Sequence, residues 1–132
     1  MAILGAFGTL GYLLEKPEIK LSGSEFYMLD PEGKTENYPA VVILGEEAGV
    51  TLGIVNHGSK DANYHIEITV DGDKAKETGP IALGGNQIWE NKVYFAAAKT
   101  GEMQEVIFLL YKGTKEEAEQ TLHFWIDVIE SS

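Results

Sequence analysis

Beyond about residue 17 the chain alternates apolar and polar side chains with a period of two, the mark of strands with one buried face. Val50, Leu52 and Ile54 share one parity, as do Tyr64, Ile66, Ile68 and Val70, with His65, Glu67 and Thr69 turned the other way. Trp89, Val93 and Phe95 form a third apolar row opposite Glu90 and Lys92, and Leu122, Phe124, Ile126 and Val128 form a fourth. Val106 to Tyr111 is apolar on both parities, which predicts a central strand whose outer face is also covered. The pattern places strands at about 24–29, 39–44, 48–56, 63–71, 75–82, 87–97, 103–112 and 121–129. Between them, Asp30-Pro31-Glu32-Gly33, Ser59-Lys60-Asp61, Asp71-Gly72-Asp73 and Lys99-Thr100-Gly101 have turn composition, and Asp71-Gly72 is the strongest hairpin signal. Evenly spaced short strands predict an all-β antiparallel sandwich of about seven or eight strands. Thr114 to Gln120 (TKEEAEQ) is the exception: a cap residue followed by glutamates predicts a helical turn or two.

The first segment breaks the pattern. Met1 to Leu14 carries no charged side chain, and Lys16-Pro17-Glu18 ends the apolar run, which sets a boundary between an N-terminal segment (1–16) and a sandwich domain (17–132). As a helix the run would be about 20 Å long, too short to cross a bilayer core of about 30 Å. It lacks the basic leader and cleavage site of a secretory signal. Three readings stay open: a truncated membrane anchor, a segment packed on this domain or on a copy of it, and a degenerate signal. The glycines at 5, 8 and 11 would leave a small-residue groove if the run were helical.

Charge narrows the partners. The 132 residues carry 21 acidic and 10 basic side chains, a formal net charge of −11, and every basic residue is lysine. Such a surface argues against nucleic acid and against an anionic headgroup site. With no cysteine there is neither a disulfide framework nor a thiolate metal site, and a domain of this length can bury a core without them.

Candidate chemistry is sparse. His57, His65 and His123 lack any spacing that would prearrange metal coordination. Asp71-Gly72-Asp73 offers too few oxygens for calcium. Lys99-Thr100-Gly101 stands without the S-x-x-K motif that accompanies it in penicillin-recognising enzymes, and no G-x-S-x-G elbow or phosphate loop exists. No catalytic residue, metal or cofactor is therefore expected. The alternative from another class is a small hydrolase or carbohydrate-active domain using carboxylates such as Glu90 and Asp127. Two sets of residues suggest binding instead. Asn37, Tyr38, Asn56 and His57 could converge at one end of the sandwich, where loops of such folds bind, or could lock a corner by hydrogen bonds. Trp125 and Ile129 take the parity opposite to the core, so a tryptophan is expected on the surface unless another segment covers it.

The stretch FYMLDPEGKTENYP (Phe26 to Pro39), Gly53-Ile54-Val55-Asn56-His57 with Asn63-Tyr64 after it, and Phe124-Trp125-Ile126-Asp127-Val128 resemble the soluble C-terminal module of the domain of unknown function 1616 family (DUF1616) of prokaryotic, mostly archaeal, membrane proteins. The resemblance runs from about Gly23 to Val128. It implies an Ig-like sandwich displayed outside the cytoplasmic membrane, with no functional residues to carry over, and a hydrophobic run before the module as at Met1 to Leu14. The multi-span half of that family is not in these 132 residues, and the expectation is either a fragment or a natural short version whose anchor has decayed. The expectation is a non-enzymatic, extracytoplasmic, membrane-associated recognition or assembly module, with a cell-surface or protein partner, or a homo-oligomer formed through residues 1–14.

Overall fold

A computed structural model of the chain describes residues 23–34 and 38–131; the expectations for the apolar segment 1–16 and for Asn37 lie outside the described residues. Eight strands follow in order: β1 (Ser24–Leu29), β2 (Val41–Ile43), β3 (Glu47–Asn56), β4 (Ala62–Val70), β5 (Asp73–Leu83), β6 (Ile88–Ala96), β7 (Gly101–Lys112) and β8 (Gln120–Ile129). They form two sheets, one of three strands in the order β1-β3-β6 and one of five in the order β2-β8-β7-β4-β5. Each expected strand is present within a few residues of its sequence-derived bounds.

The apolar rows meet between the sheets. Val50, Leu52 and Ile54 from β3 face Tyr64, Ile66 and Ile68 from β4 and Val106, Phe108 and Leu110 from β7, and all are buried. Phe95 and Phe108 join the sheets edge to face at 6.1 Å, an arrangement the ring quadrupoles favour. Tyr64 is buried with its hydroxyl 2.7 Å from Ser24 Oγ, so its polar tip is satisfied across the two sheets. The β4–β5 hairpin closes with Val70 opposite Asp73, and Asp71 and Gly72 both take positive φ (51° and 89°), the two-residue turn that matches strand twist.

Two expectations need correction. Residues 114–119 form turns and bends and Gln120 already begins β8, so the expected helix is not formed: Glu119 N–H donates to Leu110 C=O and Lys115 N–H to Lys112 C=O, drawing the segment back onto the end of β7. Seven residues between two long strands cannot meet the nucleation cost of a helix with no partner face to bury. The sandwich is also not wholly antiparallel. β2 pairs with β8 in parallel, Val41 beside Asp127 and Ile43 beside Ile129, because the chain leaves one sheet after β1 and joins the far edge of the other.

Candidate functional site

The residues that stand out in sequence are mostly consumed in holding corners. Asn56 ends β3 and is buried; its amide Nδ2 lies 2.9 Å from Lys60 C=O and 3.2 Å from both Leu83 and Gly84 C=O, while its Oδ1 accepts from Gly58 N–H at 3.0 Å. One side chain thus bonds backbone groups of two loops and ties them to the end of β3. His57 follows it, its N–H donating to Gly23 C=O and its Nε2 3.1 Å from Glu25 Oε1, which ties the start of β1 to the end of β3.

Tyr38 does not join them. Its hydroxyl donates to Met28 C=O at 3.0 Å and its ring packs 6.2 Å from Phe124, towards the opposite end of β1 from the Ser24–Asn56 pairing. Burial pushes the Tyr38 phenol above its ordinary value of 10.0, and the Asp30 carboxylate adds to the shift. Asp30 is buried, and its Oδ1 accepts from Glu32 N–H and Lys34 N–H, the self-bonded turn that aspartate favours before Pro-Glu-Gly. Tyr38 is therefore not brought together with Asn56 and His57, since it lies towards the other end of β1, and of the two readings only the corner-locking hydrogen bonds are formed.

The three histidines sit at three different strand junctions, each near a glutamate: His57 with Glu25, His65 with Glu77 at 4.0 Å, and His123 with Glu105 at 2.9 Å. Among the described residues no three histidine or carboxylate side chains gather to hold a metal. Glu90 and Asp127 do not form an acid–base pair. Glu90 is on β6 and accepts from the Tyr27 hydroxyl at 2.7 Å, whereas Asp127 is on β8 in the other sheet and accepts from Met103 N–H at 2.9 Å.

Trp125 is the candidate that remains on the surface. It is 46% exposed on the outer face of the five-stranded sheet, its ring 4.6 Å from that of His123. Exposed apolar side chains on the neighbouring strands and farther along β8 are Val41 (58% exposed), Ile129 (48%) and Met103 (68%). Val41 and Met103 were not singled out from sequence. Val41-Val42-Ile43 is apolar on both parities and could have flagged the first, but Met103 owes its position to an irregularity between Gly101 and Gln104 that periodicity does not show.

Two sheets of three and five strands, packed through alternating rows and joined by a crossover from β1 to β2, define an immunoglobulin-like β-sandwich. Solved structures share this fold. The CARDB domain of a Pyrococcus furiosus protein superposes with a TM-score of 0.56 at 12% identity, covering 83% of this chain and 99% of that one, and its crystal form with di-metal ions scores 0.53 at 13% identity over 83% and 93%. The C-terminal domain of wzt scores 0.51 at 12% identity, covering 84% and 76%. No curated protein sequence matches. Residues 20–127 match the family described as domain of unknown function (DUF1616), and the chain belongs to that family.

Proposed function

We propose that the domain is a non-enzymatic recognition or assembly module, tethered outside the cytoplasmic membrane through the chain that precedes Ser24. The observation that carries this reading is the use of its polar signature residues. Asp30, Tyr38, Asn56 and Tyr64 are bonded into turns and corners, while the apolar side chains of Val41, Trp125 and Ile129 stay exposed on one face. A molecule built that way offers surface for contact, not a cleft for chemistry. The placement of the two ends supports a tether. Ser24 C=O accepts from Gln120 Nε2 at the first residue of β8, and Ile129 ends that strand about 30 Å away at ordinary strand rise. The preceding chain thus joins at the end of β8 opposite the exposed corner, which would then point away from the bilayer.

Flotation on liposomes tests the tether. The full chain should float with the vesicles and a version starting at Lys16 should stay in the dense fraction. If neither floats, the tether reading falls. A molecular mass that then rises with concentration would assign residues 1–14 to an interface between copies.

A further inference from the structure

The large apolar side chains left exposed among the described residues are not scattered. Five of them, Val41, Leu44, Met103, Trp125 and Ile129, lie on or just beside β2, β8 and the start of β7, strands that adjoin at one corner of the five-stranded sheet. Val41 lies beside Asp127 and Ile43 beside Ile129, Leu44 N–H donates to Ile129 C=O, and Met103 N–H reaches Asp127. This corner is also a sheet edge, because β2 is the outermost strand. Asp127 N–H donates to Ala40 C=O and Leu44 N–H to Ile129 C=O, so the even-numbered residues turn their backbone groups toward β8. Alternation along the strand directs those of Val41 and Ile43 to the open side. Ile43 C=O closes a turn by accepting from Glu46 N–H, which leaves the N–H and C=O of Val41 and the N–H of Ile43 facing outward. A shallow groove of about 260 Å³ lies along this edge, lined by Pro39, Val41, Val42 and Ile43 together with Glu46, Glu47 and Ala48.

The charge around the corner has one sign. Glu46, Glu47, Glu102 and Glu130 are exposed, and none forms an ion pair among the described residues. Lys99, in the loop before β7, is taken up by Asp73 at 3.3 Å. A second copy would bring the same carboxylates against these, and an anionic bilayer surface would be repelled in the same way.

We propose that β2 accepts an extended segment of a partner protein in which apolar residues alternate with lysine or arginine. The segment adds as a strand to β2 through the outward backbone groups. Its apolar side chains extend the row of Val41, Ile43 and Trp125, and its basic ones fall on the opposite parity, toward Glu46 and Glu47. This deepens the recognition reading above and rests on it.

The test uses the full chain labelled with ¹⁵N and three end-blocked peptides: alternating valine and lysine, alternating valine and glutamate, and the valine–lysine peptide N-methylated at every second residue. The first should shift the amides of Val41, Ile43, Glu46 and Glu47 saturably, with the second and third at least about tenfold weaker, since charge and backbone pairing both contribute. Glu46→Gln with Glu47→Gln should remove most of the preference for lysine. Equal binding of all three peptides, shifts confined to another edge, or no binding at millimolar peptide would each overturn the proposal. So would a dimer in the absence of peptide that Trp125→Ala dissociates, which would make the corner a contact between copies. Flotation separates the two readings: a chain that floats but ignores every peptide keeps the tether and loses this partner, and the reverse result keeps the partner and loses the tether.

Discussion

Gly53 and Gly85 both sit where a side chain has no room, but for different reasons. A Cβ on Gly53 would lie 2.0 Å from Tyr27 Cζ and 2.4 Å from both Cε atoms, distances that place the tyrosine ring face down on the glycine. The obstacle is the far end of a side chain that can swing aside, at the expense of its bond to Glu90. A Cβ on Gly85 would meet Gly58 O at 2.8 Å and the backbone of Ser59 at 2.9 Å, in the corner that Asn56 holds. Backbone cannot rotate out of the way. Gly53→Ala should therefore cost about 1 kcal/mol, the order of one hydrogen bond with some packing, and Gly85→Ala about 2–3 kcal/mol, the upper range for overpacking. Urea unfolding followed by tryptophan fluorescence gives both values, and equal costs would refute the distinction. Asn56 itself is the residue whose meaning the sequence left open: side chains that lock a corner and side chains that bind are the same amides and phenols, and only the position of their partners separates them.

At the scale of elements, the segment from Asp30 to Ala40 carries the chain from one sheet to the other, and Tyr38 fastens it to β1. Burial and the Asp30 carboxylate both disfavour the phenolate, so the folded state holds this proton more tightly than the unfolded chain. The bond to Met28 C=O also needs the protonated form. The contribution is present below about pH 10, the ordinary tyrosine value, and is lost as pH rises through the higher folded value. Tyr38→Phe should be less stable than the native chain at neutral pH by about 1 kcal/mol and should lose less stability between pH 10 and 11, measured by urea midpoints at each pH. An identical alkaline decline in both proteins would refute this role. The eight strands were legible because a buried face imposes period two on the sequence. Thr114 to Gln120 misled because its composition suits a helix while its length and its bonds to β7 do not allow one. Periodicity names a strand's faces but not its neighbours, so the parallel β2–β8 pair, and with it the exposed corner, could not be read in advance; only Trp125 and Ile129 were visible as outward-facing positions.

For the whole molecule, a net charge of −11 on a small sandwich makes self-repulsion a general cost of the compact state. Two lysines are already committed, Lys74 to Glu77 at 2.7 Å and Lys99 to Asp73, but exposed pairs of this kind contribute little. Raising sodium chloride from about 10 to about 150 mM shortens the screening length from about 30 to about 8 Å. The thermal midpoint of the domain should rise over that interval. A fall would mean that attractive pairs outweigh the repulsion.

The parallel pairing of β2 with β8 has a consequence for how the molecule is made. Val41 waits for Asp127, so the pairing of β2 with β8 closes a loop that takes in most of the chain, and such contacts come late because loop entropy is spent before they form. On the ribosome, β1 can find β3 and β4 can find both β5 and β7 as each emerges, yet β2 has no neighbour until the final strand is free. The nascent domain therefore lacks the β2 edge of its five-stranded sheet until β8 has emerged, and the arrival of β8 is the step that closes it.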